Sequence, residues 1–437
     1  MAGPSQQDIQ RIMALGKAGK LAEVETQARQ LLEMHPDAAI LHSILGSALA
    51  GQGRFEDAVA SNRQALEIEP HRAYMHSNLG NVLTRLGRFE EAVASLQQAV
   101  RLDPSNALAH GNLGNALVYQ GRFDEALLAY QQALSLNPNI AQMHNNLANT
   151  LVALGRVDEA LAAFRRALNL RADAGTFFNM HSLLIDVNDM EPAIQCMKAA
   201  LNLQPGNIGF KLFMGMLLEY SGKAKHAAAY FEEVRNGSNL DKARLDAWNY
   251  IKTASKNMPR MIGSRIEAFR LGMGVAPPSG LVLEFGVRHG VSIRQIAALA
   301  AQEVHGFDSF EGLPEAWNNG PKGSFTTNGV IPEVPSNVRL YPGWFEKTLP
   351  EFVTTHKEPV RFMNIDCDIY SATKTILDCL ATQIVPGTVI VFDEYIGNES
   401  WREDEFKAFQ EAVNTYGWKY EYLAFSMFTK QVAVRML

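Results

Sequence analysis

The segment Glu284-Phe-Gly286-Val-Arg-His-Gly290-Val-Ser292 sets two glycines four residues apart, directly after an apolar run. Glycine lets the backbone of a turn approach a ligand closely, because no Cβ stands in the way. The spacing differs from G-x-G-x-x-G, whose helix N-terminus takes a pyrophosphate. It suits S-adenosylmethionine, a nucleoside cofactor without phosphate, whose amino-acid part lies against bare backbone. Asp308 follows about 20 residues later, where a carboxylate can accept hydrogen bonds from both ribose hydroxyls. Alone, Asp308 would serve equally well as a helix N-cap; beside the glycine turn the cofactor reading is preferred. His289, within the turn, is either a second base or a hydrogen-bonding residue. Ser292 is placed to cap the first helix and touch the cofactor's carboxylate.

These residues need a scaffold that ends strands at one edge. From Leu281 onward, strand and helix patterns alternate, which indicates a doubly wound sheet. Strands are expected at 281–286, 304–308, 338–341, 360–366 and 388–393, with a closing pair at 419–424 and 431–436. Five βα units and a final antiparallel hairpin make a Rossmann-like class I methyltransferase sheet. Trp344 and Phe345 follow the third strand, where they would either stack on adenine or join the core.

Four ordered motifs carry a closer resemblance: Phe307-Asp-Ser-Phe-Glu-Gly-Leu-Pro-Glu315, Gly343-Trp-Phe-Glu-Lys-Thr-Leu-Pro350, Ile365-Asp-Cys-Asp-Ile-Tyr-Ser-Ala-Thr373 and Pro386-Gly-Thr-Val-Ile-Val-Phe-Asp-Glu-Tyr395. Residues 281–437 resemble the macrocin-type sugar O-methyltransferase family. The resemblance implies Mg²⁺ held by Asp366, Asp393 and Glu394 beside the methyl acceptor, with Asp368 as general base. Hard carboxylate oxygens suit Mg²⁺, and a bound metal lowers the pKa of an acceptor hydroxyl. The implied cofactor set is Glu284, Gly286, Gly290, Ser292, Asp308, Ser309, Trp344, Phe345 and Asp366. Two positions depart from the family pattern: Glu394 stands where an aspartate is usual, and Cys367 where a glycine is usual. Trp401-Arg-Glu-Asp-Glu405 is expected to begin a helix near the substrate opening.

The N-terminal half is periodic. Gly46, Gly80, Gly114 and Ala148 fall 34 residues apart, as do Ala58, Ala92, Ala126 and Ala160, and also Ala65, Ala99, Ala133 and Ala167. Pro70, Pro104 and Pro138 keep the period, and so do Gly19, Gly53, Gly87, Gly121 and Gly155. This is the tetratricopeptide period. Small residues let paired helices approach, glycines turn the chain between them and prolines end the second helix. Degenerate units at about 5–38, at 174–207 and around Gly215, Gly222 and Ala227 extend the array to about seven hairpins. The expected architecture is an all-α solenoid over 1–238, a helical connector over 239–278 and the methyltransferase domain over 279–437. The connector is expected to be helical from about Leu240 to Gly272.

Two side-chain stripes run along the repeats. Asn78, Asn112, Asn146 and Asn179 hold the sixth repeat position, and Asn81, Asn115 and Asn149 the ninth, on one helix face. The pattern resembles the asparagine ladder in the repeats of O-GlcNAc transferase. A peptide groove is expected there, because an amide both donates to and accepts from a peptide bond. The alternative is that the asparagines join neighbouring helices. His42, His76, His110 and His144 form a second stripe. Their spacing on successive repeats, about 10 Å, is too wide for shared metal ligation and points to packing or hydrogen bonding.

Composition narrows the classes. The 437 residues carry a net charge of -6, which argues against nucleic acid as the main partner. No apolar run reaches membrane-spanning length. The first eight residues lack a basic region followed by an apolar stretch, so no signal peptide is expected. Cys196, Cys367 and Cys379 match neither a zinc site nor a disulfide framework and suit a cytoplasmic protein. The leading expectation is O-methylation of a hydroxyl, on a sugar or glycosylated metabolite, with repeats that recruit a peptide or protein. A protein acceptor held in the groove, and a non-catalytic scaffold, are the alternatives.

Overall fold

A computed structural model describes residues 3–255, 257–317 and 320–437. The chain divides into two compact units, 1–151 and 152–437.

In the first unit, helices pair as antiparallel hairpins: α1 (Gln6–Lys17) with α2 (Leu21–Met34), α3 (Ala39–Gly51) with α4 (Phe55–Ile68), α5 (Ala73–Arg85) with α6 (Phe89–Leu102), and α7 (Ala107–Tyr119) with α8 (Phe123–Leu136). Helix α9 (Ala141–Ala153) follows. Gly53, Gly87 and Gly121 adopt left-handed backbone between paired helices. The next amide then bonds five residues back, as in Arg88 N to Leu83 O at 2.9 Å. That bond satisfies a carbonyl at the helix end. The small-residue positions mark close helix contact: a Cβ on Gly114 would lie 2.7 Å from the Tyr130 ring. Each histidine of the stripe bonds the carbonyl of the proline six residues before it, at 2.8 Å for His42 and Pro36 and 2.9 Å for His144 and Pro138. A carbonyl only accepts, so the imidazole donates from Nε2.

The second unit contains α10 (Val157–Leu170), α11 (Ala174–Ser182), α12 (Glu191–Leu203), α13 (Ile208–Tyr220), α14 (Ala224–Val234) and α15 (Asn239–Thr253). The stretch expected to be helical to Gly272 is interrupted. Pro259 has no N–H with which to continue a helix, and the chain forms a short strand β1 (Arg260–Met261) before α16 (Arg265–Val275). The remaining elements are β2 (Leu281–Phe285), α17 (Val291–Ala300), β3 (Val304–Asp308), β4 (Val338–Pro342), α18 (Phe345–Thr355), β5 (Val360–Ile365), α19 (Tyr370–Cys379), β6 (Val389–Phe392), α20 (Glu405–Tyr416), β7 (Tyr420–Phe425) and β8 (Val432–Met436).

The strands form one sheet in the order β1-β7-β8-β6-β5-β2-β3-β4. Strands β2 to β6 run parallel, and β8 lies antiparallel between β6 and β7. Strand β1 adds an edge beyond the expected set, parallel to β7. The βα alternation also breaks once: among the described residues of 309–337 there is no helix. Gly312, Pro314, Gly320, Pro321, Gly323, Gly329, Pro332 and Pro335 make that segment a loop.

Alternation along the strands builds two cores. Leu281, Leu283 and Phe285 face one cluster, together with Ile390, Phe392, Phe425 and Val434. Val282, Val389, Val391 and Ala433 face the other, beneath Phe269 of α16 and Ile293 and Ile296 of α17. The first cluster extends without a break into Leu212, Phe213 and Met214 of α13 and Trp248 of α15. A Cβ on Gly263 would collide with the Ser182 carbonyl, and Tyr220 of α13 donates to Pro259 O at 3.2 Å and accepts from Met261 N at 3.1 Å. The later repeat helices therefore belong to the same compact unit as the sheet.

Candidate active site

Strand order reverses about β2: the chain leaves β2 for β3 on one side and later returns to β5 on the other. In open α/β sheets, ligands bind in the crevice at such a point, outside the carboxyl ends of the strands. Gly286 ends β2 there with φ 93°. A Cβ on it would lie 1.7 Å from the Asp366 carbonyl, so only glycine fits between the two strand ends.

Asp308 ends β3 and holds two loops. One oxygen accepts from Arg288 N at 2.7 Å and the other from Phe310 N at 2.6 Å. Among the described residues up to β4 no helix follows, so the N-cap alternative does not apply. A carboxylate has about four acceptor sites, and the two left over can take ribose hydroxyls. Ser309 turns to its own loop, accepting from Glu311 N at 3.1 Å. The cap of α17 is Gly290, with φ 76°, and Ser292 lies inside the helix. The Ser292 side chain lies close enough to the fully buried Glu284 to counter part of the upward shift that burial imposes on that carboxyl. Phe345 packs edge-on against Phe285, with ring centres 5.6 Å apart, as a core residue. Trp344 caps α18 and remains half-buried. Burial pushes His289 down to about 4, too weak a base to compete with the carboxylates nearby.

Asp366 and Asp368 follow β5, and Asp393 and Glu394 follow β6. Asp368 closes a three-residue turn, with Ile369 N donating to Cys367 O at 2.7 Å and φ 66° at the aspartate. Such backbone is strained for a residue with a Cβ. Burial and the neighbouring Glu394 and Asp393 push Asp368 up to about 7, against the opposing pull of Lys430 and Arg288.

The structure brings basic and amide partners to these acids. Arg265, the first residue of α16, lies 2.9 Å from Asp393 Oδ2 and 3.7 Å from Asp366 Oδ2. Asp393 Oδ1 accepts from Gln431 Nε2. Lys430 donates to both oxygens of Glu394, at 3.1 and 2.8 Å. Glu405 is wholly buried, and its Oε2 accepts from Glu394 N at 3.2 Å. Burial raises Glu405 well above the usual carboxylate range, and the acids around it add to the shift. Asp366, Asp393 and Glu394 do not fit the Mg²⁺ that the resemblance implies: two are bridged by an arginine and the third faces a lysine. Among the described residues, no three His, Cys, Asp or Glu side chains converge as a cation site. Arg265, Lys430 and Gln431 had no motif to single them out, whereas Glu405 closes the segment Trp401–Glu405 that was expected near the substrate opening.

Of the asparagine stripe, Asn78 Nδ2 donates to Ser43 Oγ at 3.1 Å and Asn146 Nδ2 to Asn115 Oδ1 at 2.7 Å, each to the preceding repeat. Asn112 lies 3.5 Å from Ser77 Oγ.

Residues 9–73 and 112–175 match the family model of the tetratricopeptide repeat, and residues 80–118 match a second TPR repeat model. Residues 283–395 match the model of a methyltransferase domain. The chain carries tetratricopeptide repeats and a methyltransferase domain. That domain spans β2 to the end of β6, so the switch point and all four acids lie inside it. A methyltransferase domain implies S-adenosylmethionine as methyl donor, and the residues at the switch point fit it.

Two curated relatives come from Streptomyces. One is the 8-demethyl-8-(2,3-dimethoxy-alpha-L-rhamnosyl)-tetracenomycin-C 4'-O-methyltransferase of Streptomyces olivaceus, 29% identical over 169 residues, which are 32% of this chain and 59% of the relative. The other is the demethyldecarbamoylnovobiocin O-methyltransferase of Streptomyces niveus, 25% identical over 41% of this chain and 75% of the relative. The chain thus spans 59% of the length of the first relative. Among solved structures, pilF of Pseudomonas aeruginosa is similar with a TM-score of 0.43 and 21% identity, over 47% of this chain and 95% of that one. No helix among the described residues is long and apolar enough to cross a membrane.

Proposed function

We propose that this chain transfers a methyl group from S-adenosylmethionine to a hydroxyl oxygen, on a sugar or a glycosylated metabolite. The observation that carries this reading is Asp368, a half-buried carboxylate just past the end of β5 with a left-handed backbone of φ 66°, pushed up to about 7 by desolvation and the neighbouring acids. The names of the two Streptomyces relatives support the class of acceptor. In the proposed roles, Gly286 and Gly290 present bare backbone to the amino-acid part of the donor, and Asp308 accepts from its ribose. Glu284, Ser292 and Ser309 brace those turns from behind, Trp344 borders the adenine end, and Phe345 supports it from the core. Bound S-adenosylmethionine supplies a methyl on a sulfonium sulfur, which leaves as a neutral thioether with the electron pair of the broken bond. Asp368 takes the proton of the acceptor hydroxyl as that oxygen bonds the methyl carbon. A base of pKa near the working pH combines availability with driving force.

In this reading the repeats recruit a peptide or protein partner, since repeat surfaces serve recognition, with the asparagine stripe of the first unit contributing amides. Nucleic acid has no part in it, and the three free cysteines suit a reducing, cytoplasmic setting.

The test is transfer of labelled methyl to a panel of glycosylated hydroxyl compounds. The rate should rise with pH through about 7 as Asp368 loses its proton. Asp368→Asn should lower kcat by a factor of roughly 100 to 10,000, with donor binding unchanged by calorimetry. Label retained in acid-precipitated protein would move the acceptor to a protein. No donor binding, in a chain that melts normally, would sink the enzymatic reading.

A further inference from the structure

We infer that Arg265 stands as a fixed cation where the family resemblance places Mg²⁺, between Asp366 and Asp393, and that the chain's chemistry there needs no metal. The clause on chemistry rests on the methyl transfer proposed above; the clause on the cation does not.

The guanidinium lies 2.9 Å from Asp393 and 3.7 Å from Asp366, so one side chain spans the ends of β5 and β6. The other Asp393 oxygen is taken by Gln431, and both Glu394 oxygens by Lys430. A divalent ion would have to displace Arg265 from two carboxylates and draw Glu394 away from Lys430. The position of Arg265 has no explanation in helix stability. It is the first residue of α16, where the helix dipole disfavours positive charge. The capping box of Ser264 and Glu267 already satisfies that helix end. The compensation comes from the acids, since the guanidinium lies 2.9 Å from Asp393 and 3.7 Å from Asp366.

An arginine can do much of what the metal would do. It remains charged at all working pH values and offers five N–H donors in a fixed plane. The Arg265 side chain is 36% exposed, so donors not turned to the aspartates can reach an acceptor oxygen in the crevice. It polarises a hydroxyl less than a divalent ion does, which leaves proton removal to Asp368. The departure at Glu394 belongs to the same arrangement, for its longer side chain meets Lys430.

The experiment is titration of Mn²⁺ into the full chain, followed by electron paramagnetic resonance. Wild-type protein should leave the added Mn²⁺ free. Arg265→Ala, which uncovers Asp366 and Asp393, should take up Mn²⁺ at least about tenfold more tightly, and lose it again when Asp393→Asn is added. Turnover of the wild type should be unchanged by a chelator. Stoichiometric Mn²⁺ on the wild type, abolished in Asp393→Asn, would overturn the inference, as would turnover lost to chelator and restored by Mg²⁺. Should Arg265→Ala fail to fold by circular dichroism, Arg265→Gln and the wild-type titration decide the matter. A chain without turnover counts against the proposed function alone, because the Mn²⁺ readout needs no activity.

Discussion

At the scale of single residues, the site sets carboxylates in unlike environments. Asp308 is anchored by two backbone amides, Asp393 by Arg265 and Gln431, and Glu394 by Lys430. Glu284 has less: Asn364 donates to one oxygen at 3.1 Å, and the other has no partner. Burial pushes it up to about 7 from 4.5. The folded state therefore holds this proton more tightly than the unfolded chain does. The contribution to stability is fully present below pH about 4.5, falls as pH rises to about 7, and is flat beyond. Glu284→Gln removes that decline. The stability gain of the variant over wild type, followed by the melting temperature, should grow between pH 5 and 8, toward a limit of about 3 kcal/mol in free energy. A gain that shrinks over the same range would show that Glu284 is ionised in the folded protein. The residues of this site that were legible in sequence were those with a motif. Gly286 and Asp308 are fixed by local turn geometry and by position at strand ends, and both signals survive in one dimension.

At the scale of elements, helix pairs depend on small residues at fixed places. Gly80 faces Leu96 and Gly114 faces Tyr130, each too close for a Cβ. Gly114→Leu would drive a branched side chain into a buried ring and should cost about 2–3 kcal/mol, read as a lower denaturant midpoint. A substitution at the exposed Leu128, to Ala, should change stability by less than about 0.5 kcal/mol. Comparable losses at both would show that the hairpins are loosely packed. The sheet was readable because its strands are short apolar runs ended by glycine or acid. Strand β1 was not, because two residues carry no periodicity; it exists because its backbone pairs with Ala424 and Phe425. The helix missing after β3 was readable in principle from the glycines and prolines between 309 and 337, although the βα rhythm outweighed them.

At the scale of the whole molecule, the division at 151/152 matters more than the end of the repeat period. Ala193, Met197, Phe213 and Trp248 share a core with Phe392 and Phe425. Trp248 bonds Glu219 at 2.6 Å, and Lys252 joins the same carboxylate at 2.8 Å. A fragment of residues 152–437 should therefore melt in one cooperative transition. A fragment of 239–437 should expose apolar surface and bind a hydrophobic dye, or aggregate. Cooperative melting of the shorter fragment, without dye binding, would mean that the later helices are dispensable to the sheet's core.

By itself the sequence determined what repeats or sits next to its own partner: the 34-residue hairpins, the strand and helix alternation of a doubly wound sheet, the glycine turn and the acids that end β3, β5 and β6. These follow from local sterics and from side-chain periodicity, which a linear pattern preserves. Only the tertiary structure decided which charges meet. Arg265 lies 128 positions from Asp393 in the chain, and no spacing rule links a helix start before the first core strand to an acid after β6. Their meeting depends on α16 crossing above the sheet, which packing imposes. The same packing decided that the later repeats share the core of the sheet, because Phe178 and Tyr220 meet Phe428 and Phe425.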